Sequence, residues 1–151
     1  MKKLFLFLAA STLALSSCSS DDDGGSNAQN FSFKANGAQK SFSTTTVTEQ
    51  DYYGDGNIEL LVSSFNPSTP SENISFRLPK GDVGVDAVWM FSYKNGSKTY
   101  NYWGDNFTIA IIENSNNRLK GTFTGNILHY NNVTDEYESV TLSEGTFDFR
   151  Y

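Results

Sequence analysis

Cysteine and histidine are almost absent from this chain of 151 residues, which contains one of each, Cys18 and His129. A single cysteine excludes an intramolecular disulfide, so a folded domain must be stabilised by its core. A single histidine leaves a catalytic triad or a zinc site without companions, since only Tyr130 and Asn131 stand beside it. We expect His129 to lie at the end of a surface strand.

Long apolar runs are also lacking. The longest, residues 4–15, is interrupted only by Ser11 and Thr12 and is shorter than the roughly 20 residues that a membrane-spanning helix needs. It follows Lys2 and Lys3, and its length fits the apolar segment of a signal peptide, about 7 to 15 residues. The sequence therefore predicts a signal peptide at residues 1–17.

Basic residues are the scarcer charged class, with 11 Lys and Arg against 17 Asp and Glu, a formal net charge of −6. An acidic chain repels phosphate backbones and anionic phospholipid surfaces. We therefore expect no nucleic-acid partner.

Cys18 directly follows the apolar run, in Leu15-Ser16-Ser17-Cys18. An aliphatic residue and two small ones before a cysteine resemble a bacterial lipobox, whose cysteine is lipidated and becomes the mature N-terminus. The resemblance implies that Cys18 is a membrane anchor with several acyl chains, because one chain alone binds only reversibly. The alternative is an ordinary signal peptide followed by a chance cysteine.

Residues 18–30 contain no large apolar side chain, and Asp21, Asp22 and Asp23 form an acidic cluster. A serine and acidic residues after the lipidated cysteine resemble the surface-export signal of Bacteroidota-type lipoproteins. That resemblance implies attachment to the outer membrane, facing the cell exterior; the alternative is a solvated linker on a periplasm-facing protein. A flexible tether of this length spans roughly 20 Å.

Residues 31–151 have the composition and patterning of a single all-β domain. Aromatic residues make up 15% of the chain, so we expect an aromatic core. Apolar and polar residues alternate at residues 74–78 and 146–151, as in strands with one buried face, and Asn36-Gly37 favours a two-residue hairpin turn. Residues 88–93 and 107–112 are apolar at nearly every position, which predicts interior strands covered on both faces. We expect an antiparallel β-sandwich of about eight to ten short strands, with a small β-barrel as the alternative.

Two similar segments lie near the C-terminus, Gly121-Thr122-Phe123 and Glu144-Gly145-Thr146-Phe147. Together with residues 31–37, they resemble small Bacteroidota lipoproteins of unknown function. The resemblance covers both ends of the domain and leaves about residues 50–105 unmatched. It implies a fold class and a cellular location, but no active residues.

A metal site is suggested only by the loop after Asp51, where Asp51, Asp55 and Asn57 resemble part of a calcium loop. An EF-hand would need an oxygen ligand and a bidentate Glu where this chain has Tyr53 and Val62, so that assignment fails. We expect a hairpin turn rich in residues that tolerate a left-handed backbone, with a looser calcium site as the weak alternative. We expect no cofactor.

The best functional lead is an aromatic strip, in which Tyr100, Tyr102 and Trp103 follow the turn signal Asn95-Gly96. Exposed rings of this kind stack on sugar rings or anchor protein interfaces; the alternative is that these rings fill the core, as large aromatic residues commonly do in β folds. Carboxylates are plentiful, yet a hydrolase needs a pair at a defined separation, which no sequence spacing supplies. We therefore expect a non-catalytic binding module for glycan or protein. The alternatives are a structural or accessory envelope protein and, remotely, a hydrolase.

Overall fold

A computed structural model describes residues 30–102 and 106–151 of the chain, with no description of the Asn30 side chain. The expected signal peptide, Cys18 and Trp103 lie outside these residues. Ten strands form the described part: β1 (Asn30–Ala35), β2 (Ala38–Phe42), β3 (Thr44–Asp51), β4 (Ile58–Phe65), β5 (Glu72–Pro79), β6 (Met90–Asn95), β7 (Lys98–Asn101), β8 (Phe107–Ser115), β9 (Arg118–Asn131) and β10 (Glu136–Arg150). The prediction of an all-β fold with eight to ten strands is confirmed.

All ten strands belong to one antiparallel sheet that nearly closes on itself. Its order is β2-β1-β10-β9-β7-β6-β5-β4-β3, and β8 pairs with β9 off this path. The two edges, β2 and β3, are consecutive in the chain and separated only by Ser43, so the open seam lies between them. The sheet is therefore barrel-like with a seam, closer to the small-barrel alternative than to two separate sheets. Within the described segments, no helix is apolar and long enough to cross a membrane.

The core lies on the inward face of this sheet and is largely aromatic. Nine phenylalanines and Tyr93 are buried there. Their rings touch in a continuous network; Phe31 stacks on Phe147 with ring centroids 5.5 Å apart, and Phe91 meets Phe107 at 4.5 Å. Large buried aromatic rings supply both apolar area and favourable ring contacts. The prediction of an aromatic core is confirmed.

The prediction that residues 88–93 and 107–112 form strands covered on both faces is wrong. In β6, Phe91 and Tyr93 are buried, but Met90 on the opposite face is exposed. In β8, Ile109 and Ile111 are buried, while Ile112 is 58% exposed. Each strand has one inward face, because no second layer formed by residues 30–102 and 106–151 covers the outside of this nearly closed sheet.

The hairpin turns follow the sequence signals closely. Asn36 and Gly37 connect β1 to β2 with positive φ angles of 47° and 81°, as a type I′ turn requires. The turn between β6 and β7 is shifted by one residue from Asn95-Gly96, because Asn95 still pairs with Lys98 and the two turn residues are Gly96 and Ser97.

The two Gly-Thr-Phe segments lie side by side in β9 and β10, which are antiparallel. Gly121 pairs with Phe147, and Phe123 pairs with Gly145, so each ring lies across the glycine of the other strand. A Cβ atom added to Gly121 would lie 2.4 Å from the Phe147 ring, and one added to Gly145 would lie 2.5 Å from the Phe123 ring. Both glycines are therefore required by the space that the opposite ring occupies. We call this arrangement the reciprocal Gly-Phe pair.

β9 changes its neighbour at Gly125. Before this residue β9 pairs with β8, and beyond it Leu128 pairs with Asn101 of β7. Gly125 has a φ of 128°, and an added Cβ would lie 2.1 Å from the Asn106 carbonyl oxygen. Only glycine combines this backbone angle with so close an approach of another main chain.

Candidate functional site

The aromatic strip is divided between the core and the surface. Tyr100 on β7 points inward, is partly buried against the core and stacks on Tyr93 with ring centroids 6.2 Å apart. Tyr102, just after β7, is 40% exposed, with its ring 5.8 Å from Phe107. Trp103 lies outside the described residues. Of the described strip residues, Tyr102 alone offers much ring surface to solvent.

His129 is held by a backbone contact. Its Nδ1 lies 2.9 Å from the Thr99 carbonyl oxygen, and its ring is 5.7 Å from that of Tyr100. In the described part of the chain, no hydroxyl or carboxylate side chain hydrogen-bonds this imidazole. The ring packs across the junction of β7 and β9, which is a structural role.

The loop that contains Asp51, Asp55 and Asn57 is organised around the Asp51 carboxylate. That carboxylate accepts hydrogen bonds from the backbone N–H groups of Gly54, Asp55 and Gly56, at 2.7, 3.2 and 3.0 Å. Asp55 in turn accepts from the Asn57 backbone and side chain, which lowers the pKa of Asp55. No group of three or more His, Cys, Asp or Glu side chains that could hold a metal ion occurs among residues 30–102 and 106–151. The carboxylates shape the loop by binding its own N–H groups.

This loop places Tyr52 against Arg77, an outward residue of β5. The Arg77 guanidinium carbon lies 4.8 Å from the centre of the Tyr52 ring and 5.7 Å from that of Trp89. Trp89 is held beside Arg77 by a backbone hydrogen bond of 3.3 Å to the Arg77 carbonyl oxygen. Tyr52 is 44% exposed and Trp89 is 50% exposed. We call these three residues the Arg77 clamp.

The clamp lies at one end of the surface formed by the outward side chains of β3 to β7, which we call the outer face. Across its middle runs a line of paired residues with hydroxyl side chains, the hydroxyl row: Thr46, Ser63, Ser75 and Ser92. The Ser75 and Ser92 hydroxyls hydrogen-bond each other at 2.8 Å. A shallow groove of about 290 Å³ crosses this region, and its lining includes Thr46, Thr48, Leu61, Ser63, Ser75, Arg77 and Met90.

A second depression, of about 330 Å³, lies on the outside of β8, β9 and β10. Its lining includes Thr108, Thr122, Thr124, Glu144 and Thr146. Its one charged side chain, Glu144, already pairs with Lys34 at 2.6 Å. It contains no exposed aromatic ring, so it offers less to a ligand than the outer face does.

A polar cluster closes one part of the interior. Glu72 accepts hydrogen bonds from the Tyr93 hydroxyl and from Lys40, whose Nζ lies 2.9 Å from Glu72 Oε1. Burial, together with the bond to Glu72, raises the pKa of Tyr93 well above its usual range. The cluster is satisfied internally and leaves no obvious group for a ligand.

The sequence did not predict the Arg77 clamp, because its members come from three separate segments. Arg77 occupies the outward position of an alternating strand, and Tyr52 was assigned to a calcium-like loop. Trp89 lies in a run predicted to be buried. Only the strand register, which pairs Arg77 with Met90 and with Leu61, brings the three together. The alternation of apolar and polar residues in β5 indicates that Arg77 points outward, but it does not indicate which residues lie beside Arg77.

Comparison with protein-family models, with curated proteins and with solved structures finds no match to this chain. The outer face with its Arg77 clamp is therefore the candidate site on geometric grounds alone.

Proposed function

We propose that this protein is a non-catalytic glycan-binding module, anchored to the outer membrane through lipid on Cys18 and facing the cell exterior. The Arg77 clamp is the observation that carries the binding function. Tyr52 and Trp89 offer exposed rings on which the apolar face of a sugar can stack, and the adjoining groove offers hydroxyl groups that hydrogen-bond sugar hydroxyls.

A glycan fits the outer face better than a protein partner does. Stable protein interfaces bury about 1,200 Å² or more and have an apolar, tightly packed centre. The centre of this face is the hydroxyl row, and the exposed apolar side chains Trp89 and Met90 are confined to one end. A shallow polar surface with aromatic rings at its border suits a chain of hydroxylated rings.

The anchor rests on Leu15-Ser16-Ser17-Cys18 and on the acidic residues after it. Cells that express the full chain should incorporate labelled palmitate into the protein, and a Cys18→Ala variant should not. Protease treatment of intact cells should release the domain if it faces outward. Unlabelled wild-type protein would refute the anchor.

The binding function is tested with a soluble chain of residues 19–151, which includes every residue of the described core, from Phe31 to Phe149. The chain is screened on a glycan array, and hits are measured by titration calorimetry. Trp89→Ala and Tyr52→Ala should each weaken a bound glycan about tenfold, the equivalent of roughly 1.4 kcal/mol.

Tyr130 and Tyr137 supply a matched control, because they form another exposed aromatic pair with ring centroids 5.1 Å apart. Alanine at either position should leave the affinity unchanged. An equal loss in the control variants would refute the outer face as the site. A folded chain that binds no glycan on the array would refute the glycan-binding function and favour a structural or accessory role in the envelope.

A further inference from the structure

The outward strand positions of the outer face carry more cations than carboxylates. Arg77 on β5 and Lys94 on β6 both point outward, and neither forms an ion pair with any described residue. Glu59 is the single outward carboxylate on the described strands β3 to β7. Although the chain has a net charge of −6, these outward strand positions therefore carry two cations and one carboxylate, and the carboxylates of Asp51 and Asp55 bind groups of their own loop.

The Arg77 guanidinium lies against two aromatic rings. Its central carbon is 4.8 Å from the centre of the Tyr52 ring and 5.7 Å from that of the Trp89 ring. Its N–H groups make no side-chain hydrogen bond within the described part of the chain. A guanidinium edge of this kind binds the two oxygens of a carboxylate or sulfate in parallel.

Lys94 lies farther along the same face. Arg77 pairs with Met90, and Lys94 follows four residues later on β6, so the Cα atoms of Arg77 and Lys94 are about 13 Å apart along the strand direction, at roughly 3.3 Å per residue. Between them lies the hydrogen-bonded Ser75–Ser92 pair of the hydroxyl row. Along the strand direction, the outer face therefore has a cation, then a pair of hydroxyl groups, then a second cation.

The geometry points to an anionic polysaccharide as the ligand, with Arg77 and Lys94 binding charged groups on two of its sugars and the hydroxyl row lying beneath the chain between them. This inference rests on the proposed glycan-binding function and names the class of glycan. The shared chemistry is an oxyanion attached to a sugar ring, either a carboxylate or a sulfate.

The test compares matched polymers by titration with the soluble chain. Polygalacturonate is paired with its fully methyl-esterified form, and dextran sulfate with dextran, so that each pair differs in charge but keeps the same sugar backbone. We expect at least one charged polymer to bind about tenfold or more tightly than its neutral partner. The comparison between the two charged polymers shows whether carboxylate or sulfate is preferred.

Three variants test the residues. Arg77→Gln and Lys94→Gln should each weaken binding of the charged polymer about tenfold, and Arg77→Lys should restore only part of the loss, since an ammonium lacks the planar fork. Arg150→Gln is the matched control. It removes the same charge from an exposed residue of β10 that also lacks an ion pair with the described residues.

Each contrary outcome is distinct. An equal loss with Arg150→Gln would mean that net charge alone attracts the polymer, which would overturn the inference. Equal binding of charged and neutral polymers, sensitive to Trp89→Ala, would overturn it while leaving the glycan-binding function intact. Polyglutamate binding as tightly as polygalacturonate would overturn the choice of a glycan in favour of an acidic polypeptide. Binding of no polymer by a folded chain would refute both proposals.

Discussion

The reciprocal Gly-Phe pair leads to a prediction about Gly145→Ala that is tested by its sign, that is, by whether the substitution raises or lowers the free energy of unfolding. Gly145 does not have a positive φ, so its backbone accepts alanine without strain. With free space around it, Gly145→Ala would stabilise the fold by about 0.4–1 kcal/mol, because alanine has fewer conformations in the unfolded chain. The structure leaves no such space. We therefore expect destabilisation.

The magnitude follows from the overlap with Phe123. An added Cβ would lie 2.5 to 2.6 Å from three atoms of that ring, against a normal carbon–carbon contact of about 3.5–4.0 Å. Phe123 is 2% exposed and its ring centroid lies 5.4 Å from that of Phe91 and 5.7 Å from that of Phe31, so it has little room to move. Overpacking of this kind costs about 1–3 kcal/mol, which corresponds to a fall in Tm of roughly 4–12 °C.

Gly121→Ala should cost at least as much, because its Cβ would also lie 2.5 Å from the Ala110 carbonyl oxygen, which is part of the main chain. Urea unfolding of the wild type, Gly145→Ala, Phe123→Leu and the double variant measures the coupling. A leucine at 123 should recover about 1 kcal/mol or more of the Gly145→Ala loss. If Gly145→Ala stabilised the fold, or cost the same in both backgrounds, the steric reasoning would be wrong.

Three further predictions concern single side chains. Asp51→Ala removes the acceptor of three loop N–H groups, so the affinity for a bound glycan should fall several-fold with little change in Tm. Millimolar Ca²⁺ should leave the Tm of the wild type unchanged. A clear rise in that Tm would show instead that this loop binds calcium. Tyr93→Phe should lower the free energy of unfolding by about 1–2 kcal/mol near neutral pH. Because the folded-state pKa of Tyr93 is raised, that difference should shrink above about pH 10, as measured by urea unfolding at several pH values; a constant difference would contradict it. The bidentate Arg118 contact holds the pKa of Asp148 below its usual value, so the advantage of the wild type over Asp148→Asn should be present near neutral pH and disappear as the pH falls well below about 4.

Much of the fold could be predicted from the sequence because its signals are local. Alternation at residues 74–78 identified β5, and Asn36-Gly37 identified the first hairpin turn. The apolar run at residues 107–112 led to the wrong prediction of a strand covered on both faces, because Ile112 is apolar yet exposed. The sequence does not distinguish an apolar residue on the outside of a sheet from one covered by a second layer. The near-closure of the sheet depends on β1 pairing with β10, which no local pattern encodes.

The candidate site was less predictable. Tyr100 lies in β7 and Tyr102 just after it, and the exposure of each ring depends on its packing against Tyr93 or Phe107, which the sequence does not reveal. The segment after Asp51 was predicted to be a turn, with a weak calcium site as the alternative. The loop holds Tyr52 over Arg77, and predicting this contact would have required the register of β3 to β6. Long-range register was the missing information in both cases.

The pairing of the first strand with the last has a consequence for how the chain acquires its structure. β1 begins at Asn30, which lies opposite Asp148 in the last part of β10. The β1–β2 hairpin can form early, but its inward face, with Phe31 and Phe33, stays uncovered until β10 has been synthesised and docked. A chain that emerges from the ribosome N-terminus first therefore lacks this ladder until residues 142–148 have been synthesised.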